Sequence, residues 1–587
     1  MAKGGKWKDR IIGDYNWRFL CMPTPPWKHD RPLPPFFGHN EKLSFLVATV
    51  MGLQHALAMV TGIITAPLLI ALTGFRPEYQ SYLVSAALIV ASVASFVQVM
   101  QIKIPGTRFV IGSGLLSVMG VSFSFVPVSQ QVILTLSQCS CAGVPCTVGG
   151  TCAACASELV GKCLSPEAAY GKVLGTILVC CFYQIFISFV PSKVLRRLFP
   201  PVVTGTCLVL LGTALIGSAF QNWGGGVYCA SQVLTTKVPC SGNGEVALAF
   251  GHRVYLGLGL VVFFAIIFAE MFGSPFVRNV EIVIGVLVGM IVASSTHYTD
   301  CNADGVCKSL RYVTGQQISD AKWFTFLWTK RIPLGFYGPA VLPILFAFMV
   351  TTMECIGDLT ATTEASHLEP VGEKFESRIQ GAILADGINS FFAALGFITP
   401  VTTYAQNNGV LSLSRCASRY AGYACCAWLM LFGIIGKFAA IILTIPNCVL
   451  GGMTTFLFTG VVVSGIHVLN IGEGLTRRNR FIAIMAIGVG MGVNLVPAWV
   501  NITGQFKDYP FEGNFWPVNP AWSPGFRGFR DSLIIVMSNG FSIGGFIAVF
   551  LNLILPYDQN DRHSDAGFDG EDDSVHNKKD MEKTLAP

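Results

Sequence analysis

The chain has 587 residues, of which 52% are hydrophobic and only 12% charged. Soluble proteins carry about 25% charged residues, so there is too little polar surface here to wrap a 63.2 kDa globule, and the mean hydropathy of +0.57 agrees. A soluble enzyme, a nucleic-acid binder and a disordered scaffold are excluded, and a net charge of +6 is small for a chain this long. The composition is that of an all-α polytopic membrane protein.

Residues 1–42 are basic, Pro-rich and aromatic with no continuous apolar run, unlike a secretory signal peptide. The first apolar segment is therefore expected to direct insertion. Stretches able to cross a bilayer as helix, about 20 residues each, recur fourteen times. They lie near 43–72, 82–101, 113–137, 169–190, 201–219, 252–273, 280–296, 338–364, 378–397, 399–414, 421–444, 449–469, 481–497 and 531–556. Residues 557–587 are polar and mixed in charge, and read as a disordered tail.

An even number of crossings puts both termini on one side. The loops after even-numbered segments are short and basic: Lys103/Arg108, Lys193/Arg196/Arg197, Arg278, Lys374/Arg378, Arg415/Arg419 and Arg477/Arg478/Arg480. The positive-inside rule assigns these loops and both termini to the cytoplasm. Ten cysteines (139, 141, 146, 152, 155, 163, 229, 240, 301 and 307) fall in the opposite loops, as does the sequon at Asn501-Ile502-Thr503. Disulfides persist in oxidising surroundings, so these loops are expected to face outward, with Asn501 glycosylated. Cys152 and Cys155 also have zinc-like spacing, but no second CxxC or histidine accompanies them, and disulfides of unknown pairing are favoured.

The outer loop 297–337 divides the segments seven and seven. An odd number per half forces opposite orientations, the inverted-repeat plan of many secondary transporters. At an offset of 295 residues Gly62, Thr65 and Ala66 match Gly357, Thr360 and Ala361, and 105–117 lies on 400–412 with five identities. Chance among Gly- and Leu-rich stretches also produces such matches.

An ionisable side chain at the bilayer centre costs roughly 3 kcal/mol on insertion scales, which makes it a functional candidate. Glu354 and Asp358 share one face of segment eight, and Asp386 lies among apolar residues of segment nine. Such acids can load and release a proton, or pair structurally within the bundle, with Lys437 in segment eleven as an available partner. In segment ten, Thr399-Pro-Val-Thr-Thr-Tyr404-Ala405 disfavours helix, whereas Gln406-Asn407-Asn408-Gly409 suits a helix start. An extended piece leading into a half-helix leaves backbone N–H groups free at membrane depth, which is tolerable where they line a cavity. Amides donate and accept, which suits a neutral heterocycle better than a bare ion; they also glue helices together. Gln54-His55 in segment one reads as cavity lining or interhelical glue, and Gly285/Gly289 as close helix packing. Gly112-Ser-Gly114 lacks the third glycine of a dinucleotide fingerprint, and the histidines do not cluster as a metal site requires.

Gln406-Asn407-Asn408-Gly409-Val-Leu-Ser-Leu-Ser414-Arg415, with Gln54-His55, resembles the signature of the nucleobase–ascorbate transporter family. Glu354-Cys-Ile-Gly-Asp358, Ala385-Asp386-Gly-Ile-Asn389-Ser and Ile445-Pro-Asn-Cys-Val-Leu-Gly-Gly-Met453 resemble its fungal uric acid–xanthine permeases in particular. The resemblance runs from about residue 43 to 556. It implies a core domain (43–190 and 338–444) and a gate domain (191–296 and 445–556), with short extended pieces in segments three and ten. It also implies a homodimer in the lipid of the plasma membrane, an elevator-like movement, and purine import with protons as coupling ion and no cofactor. Carried over by position, Glu354 and Gln406 hydrogen-bond the purine edge, Phe123 and Tyr404 sandwich the ring, and backbone of Ser122 and Ala405 lies nearby. Asp386, Asp358, Asn407 and His55 serve proton coupling and transport, while Arg415 and Phe541 act in specificity or gating. Tyr404 stands where phenylalanine is usual, Ser414 where threonine is usual, and the six-cysteine loop 138–168 is larger than the pattern demands.

Alternatives are a uracil or ascorbate carrier of the same family and an anion exchanger of related design. Gln406 followed by Asn407 favours oxidised purines over the first, and central Glu354 repels the anion of the second unless protonated. An integral-membrane enzyme would need a metal or nucleophile cluster that the sequence does not present.

Overall fold

The computed structural model describes residues 17–23, 36–107, 109–137, 140–141, 144–145, 164–226, 250–301, 307–313, 318–319, 321–369, 372–470, 475–496 and 522–556. Asn501, the C-terminal tail, most of the N-terminal segment and most of the cysteine-rich loop lie outside these residues.

The fold is mostly helical. In the first half of the chain the main helices are α1 (Phe45–Ala71), α2 (Pro77–Met100), α3 (Phe125–Ser137), α4 (Pro166–Ile187), α5 (Pro201–Trp223), α6 (Arg253–Phe272) and α7 (Glu281–Ser295). In the second half they are α8 (Val341–Ala365), α9 (Glu373–Leu395), α10 (Gln406–Ser414), α11 (Arg419–Ile434), α12 (Asn447–Leu469), α13 (Arg477–Leu495), α14 (Pro524–Met537) and α15 (Gly540–Ile554). Helices α1, α2, α4, α5, α6, α8 and α12 are each long and apolar enough to cross a bilayer, and α14 with α15 reaches that length and apolarity only as a bent pair, a broken span or a re-entrant turn.

Local signals set the helix starts. Proline opens α2, α4, α5 and α14, where its missing N–H costs nothing. Ser165, Ser418, Thr476 and Ser523 cap α4, α11, α13 and α14 through their hydroxyls. Few residues of α6 and α7 are buried, and α6 turns Leu256, Leu260, Phe264, Phe268 and Met271 outward, the surface expected against lipid. Small residues bring other helices into backbone contact: a Cβ on Gly205 of α5 would lie 2.7 Å from the Gly465 carbonyl of α12. Gly285 and Gly289 likewise seat α7 against Ile266 and Val262 of α6. Gly112 has φ +89°, and a Cβ there would meet the Val97 carbonyl at 2.4 Å, so this glycine serves a tight backbone approach.

Two sequence expectations need correction. Segment fourteen is not one straight helix: α14 and α15 meet at 92°, broken at Ser538–Asn539. Nor is Lys437 a partner for the buried acids. Helix α11 stops at Ile435, which is extended and bridges Phe324, and a short helix, Gly436–Leu443, follows. Lys437 lies over the Trp323 ring and donates to the carbonyls of Ile318 and of Ser319, the latter at 2.9 Å.

The end of the long inter-half loop is laced to the bundle. Thr325 N–H donates to Ile434 O of α11, Trp328 N–H to the Tyr82 hydroxyl of α2, Trp328 Nε1 to Leu395 O of α9, and Gly335 N–H to Gly171 O of α4. Further back in this loop, strands His297–Cys301 and Cys307–Arg311 form a hairpin whose register sets Cys301 opposite Cys307.

Candidate functional site

Two short strands meet at the centre of the molecule. β1 (Met119–Val121) and β2 (Val401–Thr403) pair antiparallel, with Met119 opposite Thr403 and Val121 opposite Val401. Both are fully buried. Each feeds a half-helix, β1 into α3 and β2 into α10, so two helix N-termini flank the crossing. Proline 400 and the β-branched run keep β2 out of helix, and helix resumes at Gln406. The counterpart of β2 lies at Met119–Val121 and not at 106–108, where the 295-residue offset would place it, so that part of the internal alignment is accidental.

Around the crossing the chain gathers nearly all the residues singled out in sequence. Phe123 and Tyr404 are nearly parallel, 10° apart in plane with centroids separated by 6.0 Å. Glu354, near the midpoint of α8, accepts a hydrogen bond from the Ser124 hydroxyl at 3.4 Å. One turn on, Asp358 accepts from Thr403 of β2 at 3.0 Å. Glu354, Asp358, Ala405, Gln406 and Asn408 are all partly accessible, whereas both strands of the crossing are buried. Asp386, near the midpoint of α9, is fully buried: Thr402 donates to it at 3.5 Å, while its Oδ1 has no partner.

These three carboxyl groups stand without a cation. Among the described residues neither lysine nor arginine pairs with them; the two ion pairs, Arg76–Glu167 and Lys330–Glu78, lie elsewhere. Buried charge without a counter-ion is costly, so their charge is balanced by protons or by a ligand.

The half-helix α10 is anchored from behind. Asn407 Nδ2 donates to Leu116 O at 2.7 Å, which fixes the amide orientation because a carbonyl only accepts. His55 Nδ1 therefore donates to Asn407 Oδ1, also at 2.7 Å. Both side chains are fully buried, so this pair ties α1 to α10 and does not face the accessible space. Asn408 Oδ1 accepts from Thr362 at 2.7 Å, joining α10 to α8. The N–H of Ser122 is spent on Pro400 O at 2.8 Å, which leaves its carbonyl and hydroxyl for other partners. Arg415 occupies a left-handed conformation (φ 53°) at the far end of α10, away from the rings.

The sequence model of the permease family matches residues 47–499. The chain belongs to the nucleobase–ascorbate transporter family of permeases. This permease is 43% identical over 552 residues to the uric acid-xanthine permease of Emericella nidulans, covering 94% of this chain and 88% of that protein. It is 39% identical to the purine permease of the same fungus (98% and 91% covered) and 28% identical to the xanthine permease XanQ of Escherichia coli (89% and 93% covered). Among solved structures, the transmembrane domain of a cyanobacterial bicarbonate transporter, BicA, superposes with a TM-score of 0.50 at 14% identity, covering 78% of this chain and 99% of that one. The permease is a transporter, not an enzyme.

Several site residues of the permease have no signal in the sequence. Ser124, Thr403 and Thr402 partner the three acids, yet small polar residues of this kind abound in membrane proteins. Phe458 of α12 is fully buried and packs edge-on against Phe123, with centroids 5.2 Å apart at 83°. Phe541, expected to act in specificity or gating, is fully buried on α15. Nothing in the sequence separates these two phenylalanines among 43.

Proposed function

We propose that this permease imports xanthine and uric acid, with a proton, across the plasma membrane. The observation that carries the reading is the pair of near-parallel rings, Phe123 and Tyr404, beside a partly accessible carboxyl and amide, Glu354 and Gln406. A flat ring inserted between two parallel rings needs about 7 Å, two carbon contact distances of roughly 3.5 Å. The ring centroids stand 6.0 Å apart, so the two rings must separate further to admit a purine. Glu354 and Gln406 then offer donors and acceptors to its edge, and backbone of Ser122 and Ala405 completes the contact. The relatives named for uric acid, xanthine and purines support the substrate class.

The cation-free trio of Glu354, Asp358 and Asp386 supports proton coupling, since uptake of a proton offsets a buried negative charge. We place fourteen crossings in two inverted sets of seven, both termini in the cytoplasm, and Asn501 outside. The core domain comprises α1–α4 and α8–α11 with the following short helix, and the gate domain comprises α5–α7 and α12–α15. The core carries the site past the gate in an elevator movement within a homodimer. His55 and Asn407 hold the half-helix during that movement; Arg415 and Phe541 tune specificity from outside the clamp. Protons are the only coupling species, with no cofactor.

Radiolabelled xanthine uptake into transporter-null cells tests this: uptake should require an inward proton gradient and stop in Glu354→Gln with the protein still at the surface. Uptake indifferent to an uncoupler removes the symport assignment, and wild-type uptake by Glu354→Gln removes the site.

A further inference from the structure

We propose that Gly120 and Gly62 are the positions that set the width of the ring clamp, by forming the seat that holds the Tyr404 ring against the β1 backbone. The proposal rests on the purine reading of the same site. Gly120 lies in the middle of β1, and its φ is not in the left-handed region. The backbone therefore does not demand glycine there, and strands ordinarily favour β-branched or aromatic residues. Gly62 is inside α1, where glycine is a poorer helix former than alanine.

Space explains both residues. A Cβ at Gly120 would lie 2.5 Å from Tyr404 Cζ, 2.6 Å from Cε2 and 2.7 Å from the hydroxyl oxygen. A Cβ at Gly62 would lie 3.0 Å from Cε2 of the same ring. Two glycines from separate elements thus press on one ring carbon. The hydroxyl closes the seat by donating to Val121 O at 2.8 Å, next along β1. The Tyr404 N–H donates to Val118 O, so both ends of the residue are fixed to the same strand. With backbone and hydroxyl both held, the ring cannot slide along the crossing to relieve a new side chain. Any methyl in the seat must displace the plane of Tyr404 relative to Phe123, which alters the aperture offered to a flat substrate. Gly120 and Gly62 are positioning residues that act through Tyr404.

The test uses full-length protein in transporter-null cells, with surface amount measured, and uptake of radiolabelled xanthine, uric acid, hypoxanthine, guanine and uracil. Gly120→Ala should raise KM by about tenfold or more, the scale of a lost close aromatic contact, with a smaller fall in maximal rate. Gly62→Ala, with its wider clearance, should raise KM less. Tyr404→Phe removes the tether, so Gly120→Ala/Tyr404→Phe should recover part of the affinity lost in Gly120→Ala. An unchanged KM in Gly120→Ala, or a double variant no better than Gly120→Ala, overturns the proposal. Should Gly120→Ala fail to reach the surface, recovery of surface amount and uptake in the double variant supports the seat, and failure there overturns it. Wild-type uptake of a base other than xanthine or uric acid overturns only the substrate reading, whereas uptake of none overturns both.

Discussion

Replacing Asn407 by leucine removes both hydrogen bonds of this side chain while keeping its branched shape. The amide links His55 Nδ1 and Leu116 O, each at 2.7 Å in a fully buried setting. Without it, one N–H and one carbonyl are stranded where no water reaches. Each orphaned buried group costs about 1–3 kcal/mol, so Asn407→Leu should destabilise the permease by roughly 2–6 kcal/mol. His55→Phe alone strands the Asn407 Oδ1, whereas the double variant leaves only the Leu116 carbonyl without its partner. The two changes should therefore be less than additive, with a coupling of two orphaned groups, about 2–6 kcal/mol on the same scale. The assay is thermal unfolding of purified protein in detergent for the four members of the cycle, read beside xanthine uptake. Additive losses, or an unchanged unfolding temperature in Asn407→Leu, would refute the reasoning that this pair anchors α10.

Asp386→Asn should abolish proton-driven accumulation while leaving surface amount intact, because the acid is fully buried and its Oδ1 has no partner to replace the proton; gradient-dependent uptake by that variant argues against its role. Lys437→Met should leave uptake within about twofold of wild type, since its partners are the loop carbonyls of Ile318 and Ser319 and not the buried acids; loss of transport would mean that it does serve the acids. Gly465→Leu should prevent α12 from seating on α5, where the Gly205 carbonyl lies 2.9 Å from the position of the added Cβ, and should be read as loss of folded protein on size exclusion in detergent. A monodisperse, active Gly465→Leu permease would contradict that close packing.

The sequence made the membrane class and the main polar residues legible because both are violations of an apolar background. Glu354, Asp358 and Asp386 stand out among leucines and valines, and Pro400 with Asn407-Asn408-Gly409 marks the break in segment ten. The family signature added the pairing of Phe123 with Tyr404, which no local pattern connects across 281 residues. What stayed hidden depends on packing between distant segments. Phe458 and Phe541 differ only in which neighbour they meet, and hydrophobicity cannot say which ring touches Phe123. Lys437 was misassigned for a related reason: a lysine inside an apolar run looks central until the helix is seen to stop at Ile435. The bend between α14 and α15 escaped notice because Ser538-Asn539-Gly540 interrupts an apolar stretch by only three residues.

The lacing of residues 325–335 onto α2, α4, α9 and α11 has a consequence for movement. A connector between the two halves of a carrier is often pictured as slack cord that lets each half drift. Here its last stretch is a girdle, stitching helices from both halves of the chain into one rigid block. Whatever excursion that block makes, the girdle must travel with it, carrying the exposed rings of Trp323, Phe324 and Trp328 like a keel along the outer rim.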